Sequence, residues 1–308
     1  MNDGVTISTF QLFQMFPDEE SARLYFESRL WPQGAHCPVC GIRDRVTARK
    51  EGYYRCNQCR EDFTVRTGTI FERSHVPLHK WLYAMYLMMT ARKGISSIQL
   101  SKEIGITQKS AWFLLQRLRE ACGGDTTILS GVVEVDETYI GGREKNKHAK
   151  KKLRVGQGMG GKTAVLGMRE RNGRTVAETI ASTDTASLTR EVEERVVPGS
   201  TIYTDTHGGY ARMKAAGFDH KSVNHGAGEY VTKDGVGTNS IESVWAVLKR
   251  GVYGTYHQVS KKHLARYVDE FTFRLNDGNV KRHTLNRLDS LIKDTSGKRI
   301  TYKQLTSE

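Results

Sequence analysis

Cys37, Cys40, Cys56 and Cys59 form the pattern Cys-x2-Cys-x15-Cys-x2-Cys. Each close pair can turn two thiolates onto one metal. The intervening stretch is long enough for a hairpin that closes a tetrahedral cage, which is the spacing of a four-thiolate zinc site. Tyr53, Tyr54 and Arg55 read as a strand leading into the second pair. The competing chemistry for four cysteines is two disulfides. No stretch ahead of them reads as a secretory signal, and disulfides are rare in a reducing compartment, so one structural Zn²⁺ per chain is expected. Four thiolates leave no open coordination position, so that metal would hold a ribbon together and leave reactions to other residues.

A second set of candidate ligands carries oxygen only. Asp136 closes Val-Glu-Val-Asp-Glu and Asp205 closes Ile-Tyr-Thr-Asp-Thr, each at the end of an apolar run. Glu242 follows in Thr-Asn-Ser-Ile-Glu-Ser-Val-Trp. On a helix, Asn239, Glu242 and Lys249 lie at steps of three and seven and share a face. If the fold brings the two aspartates side by side, their charges conflict and one must take up a proton unless a cation intervenes. Oxygen donors of this kind suit Mg²⁺ or Mn²⁺ and not Zn²⁺. Two such ions about 4 Å apart could activate an attacking oxygen and stabilise a leaving one, with a lysine nearby for phosphate. The chemistry indicated is metal-dependent phosphodiester cleavage, with Asp136, Asp205 and Glu242 as ligands. Lys249, on the same helix face, is the phosphate contact. Glu134 shares the strand face of Asp136 and Glu137 takes the opposite one; both read first as solvated or structural.

These residues need elements to position them. Asp18 to Leu30 has helical spacing and ends at Trp31-Pro32; the ribbon follows. From Pro77 to Glu120 the pattern is helical throughout. Ser96-Ser97 cap a short helix, Gly105-Ile106-Thr107 make a tight turn, and Gln108 to Glu120 forms a third helix, the outline of a helix-turn-helix. That outline puts Thr107, Gln108, Lys109, Ser110 and Phe113 toward a DNA groove, with Trp112, Leu115 and Leu118 packed inward. A plain helical bundle is the alternative. Beyond residue 130 strands take over: one around Val132 to Val135, then Thr163 to Met168 and Thr175 to Ile180, joined by the turn Arg171-Asn172-Gly173. A helix from Thr185 to Val196 follows, capped by Asp184. Thr201 to Asp205 is a strand, Gly209 to Ala216 a helix, His220 to Val223 a strand, and Ser240–Arg250 and Ser260–Leu275 helices. This is the element order of an RNase H-like domain, in which the first and fourth strands are central neighbours. The expected architecture is therefore multidomain: an N-terminal helical segment (1–33), a zinc ribbon (34–73), a small all-α helix-turn-helix region (74–124), an α/β RNase H-like catalytic domain with a five-stranded mixed sheet (128–280), and a polar helical tail (281–308).

The 308 residues carry a formal net charge of +13, which favours a polyanionic partner, most directly nucleic acid. Arg143 to Arg154 holds seven Lys or Arg residues against one Glu and reads as a basic loop between the first two strands. The expected DNA contacts are Gln108, Lys109, Ser110, Lys150, Lys151, Lys152, Lys249 and Arg250; Lys261, Lys262, His263 and Arg266 would extend that surface. The apolar run Trp81 to Met89 is too short to span a bilayer, and a cytoplasmic, membrane-free protein is expected.

Several motifs together resemble a known family. They are Arg29-Leu-Trp-Pro, Cys37-Pro-Val-Cys-Gly, Cys56-Asn-Gln-Cys-Arg, Phe63-Thr-Val-Arg-Thr-Gly-Thr-Ile-Phe, Val135-Asp-Glu-Thr-Tyr-Ile-Gly-Gly, Tyr203-Thr-Asp, Thr238-Asn-Ser-Ile-Glu and Leu248-Lys-Arg-Gly-Val-Tyr-Gly-Thr-Tyr-His. From about residue 15 to residue 300 the chain is similar to bacterial insertion-sequence transposases that join a zinc ribbon to a DDE-type RNase H-like domain, the ISXO-type group. The resemblance implies DNA transposition: binding of double-stranded transposon ends, phosphodiester hydrolysis that frees a 3′-hydroxyl, and attack of that hydroxyl on target DNA, by a homo-oligomer of at least two subunits. It also implies Asp136 and Asp205 as the first two metal ligands and an acid or asparagine, followed by a lysine, as the rest of the site; Glu242 is the favoured third ligand, Asn239 the alternative, and Lys249 the lysine. Gly237 departs from the family, where a histidine often precedes the Thr-Asn pair; His225 is the candidate substitute. The alternative function is a sequence-specific DNA-binding regulator whose RNase H-like domain is inactive. A repair or junction nuclease would share the chemistry without sequence-specific ends.

Overall fold

The computed structural model describes residues 6–142, 161–224, 231–232 and 234–307. It divides into two compact units, Met1–Gly123 with Asp277–Glu308, and Gly124–Asn276. In chain order the first unit begins with α1 (Thr9–Met15), α2 (Glu19–Leu30), β1 (Val46–Ala48), β2 (Tyr54–Cys56), β3 (Asp62–Phe63), α3 (Leu78–Thr90), α4 (Ser97–Ile104) and α5 (Gln108–Cys122). The second unit holds β4 (Val132–Ile140), β5 (Thr163–Glu170), β6 (Thr175–Ile180), α6 (Thr185–Arg195), β7 (Thr201–Asp205), β8 (Asp219–Val223), α7 (Asn239–Gly251) and α8 (Lys261–Leu275). The chain then returns to the first unit as α9 (Thr284–Lys293) and α10 (Tyr302–Thr306).

In the first unit, β1, β2 and β3 form a three-stranded antiparallel ribbon. Trp31 follows α2 and stands edge-on to Tyr54 and Phe63, with ring centroids 5.2 and 5.9 Å away. The helical core is built on α3, whose Trp81, Leu82, Met85, Met88 and Met89 are buried. Ser96 caps α4 by accepting the Gln99 amide, and Gly105 ends it in the left-handed conformation (φ 63°) that a side chain resists. Thr107 then caps α5 through the Ser110 amide. Only three residues separate the two helices, as the sequence indicates.

The C-terminal stretch, read from its composition as a polar tail, is core. Leu288, Leu291 and Ile292 of α9 are fully buried, and α9 packs on α2, α3 and α5. The Arg287 guanidinium donates to the Met89 carbonyl at 2.9 Å, and Tyr25 and Arg29 of α2 both donate to Asp289. The polar residues that give the segment its hydrophilic composition occupy the outer face of an amphipathic helix.

The second unit is a five-stranded mixed sheet in the order β6-β5-β4-β7-β8, the RNase H-like architecture. β4, β5 and β6 form an antiparallel meander, and β4–β7 and β7–β8 are parallel. Both faces are covered. One carries Val133, Val135, Leu166, Met168 and Ile202 against Leu188 and Val192 of α6. The other carries Ile140, Val165 and Ala177 against Ile241, Val244, Trp245 and Leu248 of α7 and Leu264, Val268 and Phe271 of α8. One expected element differs: Gly209 to Ala216 is a short 3₁₀ turn at Gly208–Tyr210 followed by further turns. Tyr210, Ala211 and Met213 each donate three residues back; two glycines at the start and Gly217 at the end leave too little helix-forming sequence to nucleate a longer helix.

Leu288→Ala tests the role of the C-terminal segment. Truncating a fully buried leucine should cost the first unit about 2–5 kcal/mol, measured by urea unfolding followed through Trp31, Trp81 and Trp112, which all belong to that unit. A cost near zero would mean that the segment lies outside the core.

Candidate active site and zinc cluster

The four cysteine sulfurs lie within 4.8 Å of one another. Cys37 Sγ is 3.5 Å from Cys59 Sγ and Cys40 Sγ is 3.5 Å from Cys56 Sγ, too far for disulfide bonds, and all four are free thiols. Two matching turns make the cage. Cys37 donates to the Ile42 carbonyl and Cys56 to the Glu61 carbonyl, and the residue after each pair, Gly41 or Arg60, takes left-handed backbone (φ 76° and 61°). The Cys59 and Gln58 amides point at the Cys56 sulfur and favour its thiolate, the form that a metal requires. The donor set fits a structural Zn²⁺, closed on all four sides.

The sheet register sets the two aspartates level. On the parallel pair, Val132 faces Thr201, Val133 faces Ile202 and Glu134 faces Tyr203. Asp136 and Asp205 each lie two residues past that last rung, so side-chain alternation turns both toward the face covered by α7. Asp136 Oδ2 accepts the indole N–H of Trp245 at 2.9 Å, and Asp205 Oδ1 accepts the His207 amide at 2.9 Å. Burial first, and then the charges of Glu137 and Asp205, push the Asp136 carboxyl up to about 7, against the opposing pull of the indole N–H. Among the described residues neither aspartate has a cationic side chain as ion-pair partner. An uncompensated acid pair with oxygen-only donors fits a hard divalent cation.

Glu242 lies in the first turn of α7, and the Thr238 hydroxyl donates to its Oε1 at 3.1 Å. Thr238 stands at the N-cap, yet its side chain makes no capping bond. Glu134 of β4 does that work: its Oε2 accepts the Ser240 and Ile241 amides at 2.9 and 3.1 Å, an anion on the positive end of the helix. Its Oε1 meets Arg171 Nε at 3.2 Å. At 2% exposure, Glu134 is structural, not solvated. Glu137, on the opposite face, accepts the Tyr210 hydroxyl at 2.6 Å and lies 3.6 Å from His207 Nδ1.

Among the described residues, only the four cysteines draw three or more His, Cys, Asp or Glu ligand atoms within 4.8 Å of one another; Asp136, Asp205 and Glu242 do not close to that spacing. Asn239 is the exposed first residue of α7, and Lys249 and Arg250 are exposed in its last turn. Gln108, Lys109 and Ser110 are exposed at the start of α5, but Lys109 Nζ lies 4.6 Å above the Tyr302 ring of α10. Phe113, expected at a groove, is instead half-buried edge-on to Tyr302 with centroids 5.6 Å apart, the Arg117 guanidinium over its ring. Trp112, expected inside, is only half-buried, whereas Leu115 and Leu118 are buried. Lys150, Lys151, Lys152 and His225 fall outside the described residues. Sequence reasoning missed Trp245 and Gly167. A lone glycine inside an apolar strand was the available signal, since it marks a close approach by another element.

A raised carboxyl pKa has a consequence for stability. The folded chain holds the Asp136 proton more tightly than the unfolded chain. Its contribution is therefore full below the ordinary carboxylate pKa and is lost as pH rises through about 7. In buffer without divalent cations, the second unit should lose on the order of a few kcal/mol between pH 4 and pH 8 from this group, and Asp136→Asn should flatten that fall. Thermal melts of both proteins across this range check it; parallel pH profiles would contradict it.

Residues 17–62 match the transposase zinc-ribbon domain and residues 128–276 the ISXO2-like transposase domain. An uncharacterized protein in transposable element ISH50 of Halobacterium salinarum is 31% identical over 273 residues, 83% of this chain and 90% of that protein. An uncharacterized transposase-like protein of Haemophilus influenzae is 26% identical over 114 residues, 37% of this chain and 89% of that protein. The crystal structure of a pre-cleavage Mos1 transpososome superimposes at a TM-score of 0.24 and 10% identity over 70% of this chain and 79% of that one, too loosely to inform its chemistry. With the ribbon, the mixed sheet and a relative matched along nearly its whole length, the chain belongs to the ISXO2-like transposase family.

Proposed function

We propose that this transposase binds the double-stranded ends of an insertion sequence and cuts and joins DNA at Asp136, Asp205 and Glu242. The reading rests above all on the β4–β7 register, which supports two aspartates at one level of adjacent parallel strands. Glu242 is the third member and not Asn239, because a carboxylate holds a divalent cation better than an amide does. Asp136, Asp205 and Glu242 would hold Mg²⁺ or Mn²⁺, two ions in all, which when bound supply positive charge to the scissile phosphate and the oxygens around it.

The chain's own part is to hold these acids and to bring DNA to them. Lys249 and Arg250, exposed in the last turn of α7, offer charge to phosphate on the helix that carries Glu242. Gln108, Lys109 and Ser110, exposed at the start of α5, would read the DNA groove as in a helix-turn-helix. The net charge of +13 suits a polyanion throughout. The reaction is hydrolysis that frees a 3′-hydroxyl, then attack of that hydroxyl on target DNA, and pairing two ends calls for at least a dimer. No helix among the described residues is long and apolar enough to cross a membrane.

Asp136→Asn and Asp205→Asn should each cut Mg²⁺-dependent cleavage of end DNA by about a hundredfold or more, the scale of losing one group that stabilises developing charge. Binding of the ends, read by gel shift, should survive. Glu242→Gln should match them and Asn239→Ala should fall short. Undiminished cleavage by both aspartate variants contradicts the proposal. A native chain that binds ends but never cuts them favours a DNA-binding regulator instead.

A further inference from the structure

The residue that Asp136 faces across β5 is Gly167. A Cβ there would collide with Cη2 of Trp245 and stand 2.9 Å from Cδ1 of Ile241, so the missing side chain is what lets the indole lie against the sheet. Trp245 is 4% exposed, and a buried indole N–H needs an acceptor. It finds Oδ2 of Asp136 at 2.9 Å. Along α7, Trp245 is three residues beyond Glu242 and four before Lys249, one turn from each on the same face. A phenyl ring would fill the same core space without needing an acceptor.

We infer that Trp245 is a positioning residue: its N–H fixes the orientation of the Asp136 carboxylate for a divalent cation, and Gly167 exists to admit it. The inference rests on the reading of Asp136 as a metal-ligating acid. Residues that orient a ligand without touching the ion commonly set metal affinity. The N–H also couples β4 to α7, so that one hydrogen bond serves both the aspartate and the helix bearing the third acid.

The test is Mn²⁺ binding by the full-length chain, measured by calorimetry, with thermal melts alongside. Trp245→Phe keeps an aromatic ring over Gly167 and removes the donor. Mn²⁺ should bind it about tenfold more weakly than the native chain, and Asp136→Asn should abolish that binding. Unchanged affinity in Trp245→Phe, with Asp136→Asn inactive toward Mn²⁺, overturns this inference and leaves the proposed function standing. Unchanged affinity in Asp136→Asn overturns the reading of the acid itself, and the inference with it. The native chain gives a second measurement that needs no Trp245 variant to fold. With the indole nitrogens labelled for NMR, Mg²⁺ should move one N–H resonance, and that response should vanish in Asp136→Asn. No Mg²⁺-responsive indole in the native chain would again overturn it.

Discussion

Two carboxylates held level on neighbouring parallel strands are an electrostatic liability. Asp136 and Asp205 cannot turn away from each other without breaking strand alternation, and a shift of register would move the apolar residues of β4 and β7 off their faces. The core residues Val133, Val135 and Ile202 therefore enforce the proximity of the acids. Part of the cost is visible in the Asp136 carboxyl, which burial first, and then the charges of Glu137 and Asp205, push up to about 7. Much of the second unit can be understood as the support that this arrangement needs.

That support reaches the sheet through α7. Glu134 takes the free amides at its N-terminus, and Trp245, further along, takes the Asp136 carboxylate. The two acids of β4, separated by one residue, thus hold the helix at two points, with Glu242 between them in sequence. Arg171 completes the first contact, lying 3.2 Å from Glu134 and 4.8 Å from the Tyr203 ring centroid. Glu242 nevertheless does not close on the two aspartates to the spacing of the zinc cysteines.

Much of the fold could be read from local signals. The Cys-x2-Cys pairs, the glycine turn before α5, the Asp184 cap and the alternating strands all depend on residues within a few positions of one another, and each is where the sequence puts it. Strand order was readable too, because the succession of elements leaves few ways to wind a mixed sheet. Features that depend on distant partners were not readable. Glu134 passes for a solvated acid until α7 is known to end its helix dipole on it. Trp245 passes for core because its acceptor lies 109 positions earlier in the chain. The segment from 281 onward reads as polar because its buried leucines are spaced for one helix face, and only α2, α3 and α5 reveal what that face meets. The contact of Phe113 with Tyr302 was hidden for the same reason, because Tyr302 is on α10.

The two candidate metal sites differ in donor type. Thiolates in the first unit build a closed cage for a structural ion, and oxygen donors in the second present an open, mutually repelling set. That the second set holds a divalent cation is the point on which the proposed chemistry turns. It is tested most directly by anomalous scattering from crystals grown or soaked with Mn²⁺. The account predicts manganese density in contact with both Asp136 and Asp205. Well-ordered crystals in millimolar Mn²⁺ with no density at either carboxylate would contradict it.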